Sequence, residues 1–134
     1  MTKERREERP TPPPPQLHEL EAEVMEEVWA RGEATVREVL DALNEGSKRR
    51  AYTTVMTVMA RLDRKGLLTR RRQGRMDVYS PLIERRAYMD ARASAEVSAL
   101  VDEFGDVALA HFARRMDGLD AERIRKLRSL AHGD

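Results

Sequence analysis

Short hydroxyl and cationic side chains recur at helical spacing near the middle of this 134-residue sequence. Thr53, Thr54 and Thr57 share one side of a predicted helix over residues 52–65 with Arg61 and Arg64. Hydroxyl groups can hydrogen-bond to base edges and phosphates, and guanidinium groups bind phosphates or guanine. Three threonines on a solvated face lower the helix propensity, a small cost that is typical of a functional surface. The spacing predicts a helix that enters the major groove of DNA, although by itself it also fits an ordinary solvated face.

Positive charge is concentrated around this helix. Ten basic residues and one acidic residue lie between Lys48 and Arg75, so this window carries a net charge of +9, whereas the whole chain carries +1. Charge that is concentrated in this way is typical of a protein that binds a polyanion. The window is therefore a candidate binding surface for a polyanion.

A basic hairpin is predicted directly after the helix. Leu67–Arg72 and Met76–Ser80 have the residue types of two strands, and they are joined at Gln73–Gly74, where glycine can adopt the positive φ of a tight turn. Three helices followed by a cationic hairpin is the order of a winged helix-turn-helix, in which the third helix lies in the major groove and the wing lies along the backbone. The candidate DNA-backbone contacts are Arg49, Arg50, Arg70, Arg72 and Arg75.

The segments before the third helix predict a scaffold. An amphipathic helix follows Leu17 and ends at Gly32. Thr35 and Glu38 then fit a capping box before a short second helix that stops near residues 44–46. The apolar stripe of the third helix, which must face the core, consists of Val55, Val58, Met59 and Leu62.

The last third of the chain predicts helices that have no partner in a wing domain that is already complete. A helical segment runs from about residue 83 to residue 104, and Asp106 and Asp120 can cap two shorter helices after it. Exposed apolar helical faces imply a partner surface, and a two-fold contact with a second copy is the most common solution. The alternative is a monomer in which this segment folds back on the N-terminal domain. The predicted dimerisation residues are Tyr88, Leu100, Val101, Phe104, Leu109, Phe112, Ile124 and Leu127.

Together these patterns predict a mostly α fold with a small β-hairpin wing. Residues 1–16 are charged and then rich in proline, which predicts a disordered tail. A winged helix-turn-helix DNA-binding domain is expected over residues 17–82, and a C-terminal helical dimerisation module over residues 83–134. The expected partners are double-stranded DNA and a second copy of the chain.

Motifs for enzyme chemistry are absent from the sequence. The chain has no cysteine, and His18, His111 and His132 lie in different segments without the spacing of metal ligands, so no metal site and no cofactor are expected. A Gly-rich phosphate loop and a nucleophile elbow are also absent. No apolar stretch is long enough for a membrane span, and the first residues do not resemble a secretory signal. We therefore expect a cytoplasmic protein that is not an enzyme.

Three sequence blocks carry a family resemblance. They are ELEAEVMEEVWARGEATVREVLDAL, AYTTVMTVMARLDRKGLLTRRRQGRMDVYSP and ALAHFARRMDGLDAERIRKLRSL, of which the second is the most specific. Over about Leu17–Leu130 the chain resembles the penicillinase-repressor family, the BlaI/MecI group with its copper-responsive relatives. The resemblance implies a homodimeric repressor that binds a palindromic operator near a promoter.

The same resemblance implies roles for individual positions. Arg61, Arg72 and Arg75 would contact the DNA backbone. In β-lactam-responsive members a membrane sensor protease triggers cleavage before a Phe, and the matching bond here is His111–Phe112, with His111 in place of the Asn of well-known members. Copper-responsive members carry a Cys-rich motif that this chain lacks, which excludes copper sensing by that route. The implied reading face of the recognition helix consists of Tyr52, Thr53, Thr54, Met56 and Thr57.

Two other functions fit the sequence. A winged-helix regulator could bind a small ligand between its helices, although the C-terminal part is small and poor in aromatic residues. A winged-helix adaptor could instead dock an acidic protein through its basic face, and it would then show no preference among DNA sequences.

Overall fold

The computed structural model describes residues 12–133, and this part of the chain forms six helices and one antiparallel hairpin. The elements in chain order are α1 (Glu19–Arg31), α2 (Val36–Leu43), α3 (Tyr52–Arg64), β1 (Leu68–Gln73), β2 (Met76–Pro81), α4 (Arg85–Phe104), α5 (Asp106–Asp117) and α6 (Ala121–Ala131). This order confirms the predicted mostly helical fold with a winged helix-turn-helix.

Capping groups set the ends of several helices. The Thr35 hydroxyl accepts a hydrogen bond from the Glu38 N–H at 3.2 Å, and the Glu38 carboxylate accepts one from the Thr35 N–H at 2.9 Å, as the capping box predicts. A cap of this kind contributes about 1 kcal/mol to helix stability. Asp120 caps α6 as predicted. The prediction for α5 was wrong, because Gly105 occupies the cap position and Asp106 lies in the first turn.

The core lies in the first of two compact units into which the chain divides, one ending at Ala93 and the other beginning at Ser94. In the first unit α1, α2 and α3 pack against one another and against the hairpin. Each fully buried aliphatic or methionine side chain contributes roughly 1.5–3 kcal/mol of transfer free energy. The largest fully buried apolar side chains are Val24, Met25, Val28, Val39, Val55, Met59, Leu62, Leu67, Leu68 and Tyr79.

One residue outside the hairpin pairs with β2 through its backbone, as in an antiparallel sheet. Ala34, between α1 and α2, donates to the Tyr79 carbonyl at 2.9 Å and accepts from the Tyr79 N–H at 2.8 Å. These two bonds tie the loop before α2 to the wing. The sequence does not predict the pairing, because a single bridging residue has no periodicity of its own.

The first turns of α4 belong to the first unit. The Trp29 indole N–H donates to the Ile83 carbonyl at 2.9 Å, and the Trp29 and Tyr88 rings lie 5.6 Å apart. The sequence assigns Tyr88 to the dimerisation surface, but the structure buries its side chain to 4% exposure in the first unit. These contacts join the first turns of α4 to the first unit, which ends at Ala93.

The end of the expected tail contacts α4. Residues 1–11 lie outside the described residues. Residues 12–16 form no helix or strand, but the Pro14 carbonyl accepts a hydrogen bond from Arg92 at 3.2 Å and the Pro15 carbonyl accepts one from the Tyr88 hydroxyl at 2.7 Å. This segment is therefore part of the first unit.

The second unit contains the end of α4, together with α5 and α6. Ala108 is the one buried residue among residues 94–133, and the three helices pack only sparsely against one another. The unit therefore exposes many large apolar side chains. They are Val97, Leu100, Phe104, Val107, Leu109, Phe112, Met116 and Leu130.

Candidate nucleic-acid interface

The third helix presents a polar face opposite its buried stripe. The four predicted core residues of α3 are all buried, so side chains on the opposite side of the helix face solvent. Thr53, Thr54, Thr57 and Arg61 are exposed, and they line a shallow concavity. This surface offers short hydroxyl groups beside a guanidinium group, which are suitable partners for base edges and phosphates.

A second concavity of about 220 Å³ lies between α3 and the wing. Tyr52 and Met56, each 43% exposed, line it from α3, and Arg75 and Met76 line it from the hairpin. The guanidinium of Arg37 in α2 lies 5.3 Å from the centre of the Tyr52 ring. Such a cation–π contact contributes about 0.5–1 kcal/mol at an exposed site and holds the ring in place. The apolar part of this lining suits a thymine methyl group.

Exposed arginines flank the tip of the hairpin. The chain turns at Gly74, whose φ of 63° is the positive value that the sequence predicts there. One guanidinium nitrogen of Arg72 lies 3.3 Å from a carboxylate oxygen of Asp77 on the facing strand. An exposed pair of this kind contributes about 0–1 kcal/mol, so the Arg72 guanidinium can exchange this partner for a phosphate at little cost.

Three cations of the basic window form no ion pair with any residue in the range 12–133: Arg49, Arg64 and Arg75. All three side chains are exposed. Arg64 follows Thr57 by seven positions and thus lies on the polar face of α3, where the sequence predicts it. Unpaired cations keep their charge available for phosphate, so these three arginines are the strongest candidates for backbone contacts.

Other cations of the window are paired with carboxylates of α1. The Arg50 side chain is only 20% exposed, and its guanidinium lies 3.2 Å from a carboxylate oxygen of Glu23. The backbone N–H of Arg50 donates a hydrogen bond to the side-chain oxygen of Asn44 at 2.7 Å. Lys48 lies 3.5 Å from Glu19. The charge available to a partner is therefore smaller than +9. Arg50, a predicted backbone contact, contributes to the turn between α2 and α3 through these bonds.

Two more arginines of the hairpin have internal partners. Arg70, a predicted backbone contact, lies 3.2 Å from Asp63 of α3 and donates to the Tyr79 hydroxyl at 3.2 Å. Arg71 points to the other side of the hairpin and lies 2.9 Å from Glu33, which lowers the pKa of that carboxyl. Neighbouring arginines in the wing thus have different environments.

A buried carboxylate lies beneath the end of the polar face. Glu21 is 1% exposed, and its carboxylate accepts from the His18 N–H at 3.0 Å and from the Lys65 ammonium at 2.7 Å. Burial raises the pKa of Glu21, but these two hydrogen bonds outweigh it, so the pKa lies below its usual value of 4.5. The Arg61 guanidinium lies 3.9 Å from the same carboxylate, which orients it along the edge of α3.

The second unit contains an apolar concavity of about 350 Å³. Leu100 and Phe104 from α4 line it together with Phe112 from α5, and Phe104 is half exposed. Of the other predicted dimerisation residues in this unit, Leu109 is exposed. Partly buried positions are occupied by Val101, Ile124 and Leu127.

The predicted cleavage bond lies within α5. His111 and Phe112 are both exposed and line the apolar concavity of the second unit. The bond is in the middle of a regular helix, so a protease would first have to open α5 locally.

A family comparison decides the class of the protein. The model of the penicillinase repressor family matches residues 17–132. The chain belongs to this family. Penicillinase repressors are DNA-binding transcriptional repressors and not enzymes, which confirms the function class that the sequence predicts.

Individual relatives support the same assignment. The repressor is 38% identical over 115 residues to the transcriptional regulator BlaI of Mycobacterium tuberculosis, a match that covers 82% of this chain and 80% of the relative. It is 27% identical over 113 residues to the penicillinase repressor of Bacillus licheniformis, covering 84% of this chain and 87% of that one.

A solved structure confirms the winged-helix fold of the first unit. The solution structure of the DNA-binding domain of the repressor BlaI matches with a TM-score of 0.50 and 33% identity, over 56% of this chain and 90% of that one. Among residues 12–133 of the repressor, no helix combines the length and the apolar character that crossing a membrane requires.

Proposed function

We propose that the repressor binds a palindromic operator as a homodimer in the cytoplasm and blocks transcription by occupying the promoter. The observation that carries this proposal is the exposed threonine face of α3, which lies opposite a fully buried stripe and beside unpaired arginines. A solvated face without function would not require three threonines in a helix.

Base recognition is assigned to the exposed face of α3. The hydroxyls of Thr53, Thr54 and Thr57 would hydrogen-bond to base edges in the major groove, and Tyr52 or Met56 would contact a thymine methyl. Each mismatched base pair in the operator should then cost about 1–3 kcal/mol of binding free energy.

Affinity for the DNA backbone is assigned to the exposed arginines. Arg49, Arg64 and Arg75 have no internal partner among the described residues, and Arg72 has only an exposed one. With roughly 6–10 phosphates neutralised per dimer, the logarithm of the association constant should fall against the logarithm of the salt concentration with a slope of about −5 to −9.

Homodimer formation is assigned to the apolar surface of the second unit. Its helices bury little within one chain and expose aromatic and aliphatic side chains such as Phe104 and Leu109. A two-fold contact between copies would cover this surface and would place two copies of α3 about one DNA turn, ~34 Å, or a small multiple of it apart. Linkage of the two half-sites would raise the affinity by about 10²–10⁴.

Derepression is assigned to proteolysis of the second unit at His111–Phe112, triggered by a membrane sensor protease. The bond lies beside the surface assigned to the dimer, so cleavage would remove Phe112 and all of α6 from it. Mass spectrometry of the repressor from cells treated with a β-lactam should then detect a fragment that ends at His111. Derepression with an intact chain would contradict this step.

A gel-shift experiment with fragments of the source chromosome tests the proposed function. The repressor should retain a small subset of fragments in the presence of excess competitor DNA. Retention without sequence preference would favour the adaptor that docks an acidic protein.

The ligand-responsive alternative rests on the apolar concavity of the second unit. A thermal-shift screen with small apolar compounds separates it from the dimer. A compound that raises the melting temperature and also changes DNA affinity would support a ligand site, whereas a dimer interface would bind none.

A further inference from the structure

Arg70 lies where the hairpin meets the recognition helix. Its Nε lies 3.2 Å from Oδ2 of Asp63, near the end of α3, and its Nη1 donates to the Tyr79 hydroxyl at 3.2 Å. The same Nη1 lies 3.7 Å from Oδ2 of Asp77, and the guanidinium is 6.0 Å from the centre of the Tyr79 ring. One side chain of β1 therefore contacts both α3 and β2.

The groups that hold Arg70 are themselves fixed. Tyr79 is 1% exposed, and its backbone forms both hydrogen bonds with Ala34. Asp63 belongs to the last turn of α3, whose buried stripe is anchored in the core. A planar guanidinium with partners on several sides has one preferred orientation, unlike the flexible ammonium of a lysine.

The other exposed arginines of the hairpin have no such link to α3. Arg71 pairs with Glu33, Arg72 contacts Asp77 within the hairpin, and Arg75 has no partner among the described residues. A two-stranded hairpin is only marginally stable by itself, so its orientation depends on contacts near its base. Leu68, Val78 and Tyr79 anchor that base in the core, and Arg70 adds an ion pair that joins the hairpin to α3.

We propose that Arg70 is a positioning residue, which fixes the wing against the recognition helix so that Arg72 and Arg75 reach the phosphates flanking the bases read by α3. This inference deepens the proposed function and rests on it. We call the contacts of Arg70 with Asp63 and with the Tyr79 hydroxyl the brace. Asp63 then helps to position the wing, although it is an acidic residue at a DNA-binding surface. A direct phosphate contact by Arg70 would give Asp63 the opposite role, because the carboxylate would compete with DNA for the guanidinium.

Three substitutions in the full chain distinguish these roles. The probe is a 30-base-pair duplex enriched from a random library by the wild-type repressor. Mutations within a coupling network typically change affinity about 2- to 30-fold, so Arg70→Gln and Asp63→Asn should each weaken binding by roughly tenfold. Arg70→Lys should recover part of the loss, because it retains one ion pair. Equal or tighter binding by Asp63→Asn would overturn the proposal.

A matched control separates the brace from general electrostatics. Glu45 is an exposed carboxylate after α2 with no partner among the described residues. Glu45→Gln should leave binding unchanged or tighten it slightly. A tenfold loss in this variant would overturn the proposal, because the loss in Asp63→Asn would then not be specific to the contacts of Arg70.

The dependence of Arg70 on the wing arginines provides a second test. If Arg70 acts through Arg72 and Arg75, Arg70→Gln should cause almost no further loss in a chain that already carries Arg72→Gln and Arg75→Gln. A direct phosphate contact would instead add its full loss to that of the double variant, as independent sites do. Additive losses would therefore overturn the proposal.

A measurement without DNA separates failure of this inference from failure of the proposed function. Arg70→Gln should speed amide hydrogen exchange over residues 69–80 of the free protein, whereas Arg72→Gln should not. Unchanged exchange in Arg70→Gln would overturn the brace. If the library selection enriches no sequence, the proposed function fails, and hydrogen exchange still decides whether Arg70 positions the wing.

Discussion

The ammonium of Lys65, one residue beyond the end of α3, lies 2.7 Å from the carboxylate of Glu21, a fully buried residue of α1. The two residues are 44 positions apart, and their contact joins the start of the first helix to the end of the recognition helix. Because Glu21 also accepts a backbone hydrogen bond from His18, its charge is fully paired inside the protein. This contact fixes the end of α3 against α1.

Loss of the Glu21 charge should destabilise the first unit. Hydrogen bonds to charged groups contribute about 1.5–3 kcal/mol, so Glu21→Gln should lower the free energy of unfolding by about 2 kcal/mol. Urea titration followed by the fluorescence of Trp29, the single tryptophan, measures this change in the full chain. Glu27→Gln, which breaks an exposed pair with Arg31, serves as the control and should cost less than about 1 kcal/mol. Equal unfolding midpoints for both variants would contradict the assignment.

The contribution of Glu21 should depend on pH. Its pKa lies below the usual 4.5 in the folded chain, so the unfolded chain takes up the proton at higher pH. The stabilisation is therefore complete above pH 4.5 and is lost as the pH falls through the lowered folded-state pKa. The difference in unfolding free energy between wild type and Glu21→Gln should shrink over this range. A difference that stays constant down to about pH 3 would contradict the lowered pKa.

Arg75 should contribute to affinity through phosphate, independently of sequence. Arg75→Gln should weaken binding to all duplexes by a similar factor and reduce the magnitude of the salt slope by about 2 for a dimer, since two copies are lost. Arg71→Gln is the matched control, because this arginine of the same hairpin points to its other side, where it pairs with Glu33. Arg71→Gln should change the salt slope less than Arg75→Gln does. A sequence-dependent loss in Arg75→Gln would indicate that Arg75 reads bases.

The exposed apolar surface of the second unit should be required for dimer formation. Phe104→Glu should convert the repressor to a monomer and reduce operator affinity by about 10²–10⁴, because the half-sites are then bound separately. Analytical ultracentrifugation measures the assembly state. Leu82→Glu, at an exposed apolar residue of the first unit, should leave it unchanged. A Phe104→Glu variant that sediments like wild type would contradict the assigned interface.

Tyr88 should stabilise the first unit without affecting the dimer. Tyr88→Phe removes the hydrogen bond to Pro15 and should cost about 1 kcal/mol, whereas Tyr88→Ala also leaves a cavity beside Trp29 and should cost about 3–5 kcal/mol. Trp29 fluorescence in urea measures both. If Tyr88→Phe dissociated the dimer and left the unfolding midpoint unchanged, Tyr88 would belong to the interface after all.

Local patterns predict most of the first unit. Helical periodicity identifies the buried stripe of α3, because core positions repeat every three or four residues. The capping box of α2 and the turn at Gly74 follow from the chemistry of single residues. These features depend on neighbours in the chain, so the sequence is sufficient to predict them.

Contacts between distant segments are not predictable in the same way. The basic window has its high apparent charge because its acidic partners, such as Glu21 and Glu23, lie far away in the sequence. Periodicity shows that Tyr88 lies on an apolar stripe, but it does not show that Trp29 covers it. For the same reason, Arg70 and Arg75 look alike in the sequence, although only Arg70 has partners at the base of the wing.

Selection of bound duplexes from a random library tests most directly whether α3 reads DNA sequence. Wild-type repressor should enrich a palindrome with two half-sites about one helical turn or a small multiple of it apart, and Thr54→Ala should lose the preference at one symmetric pair of positions. An enriched pool with no common motif, or one that Thr54→Ala leaves unchanged at every position, would contradict the account.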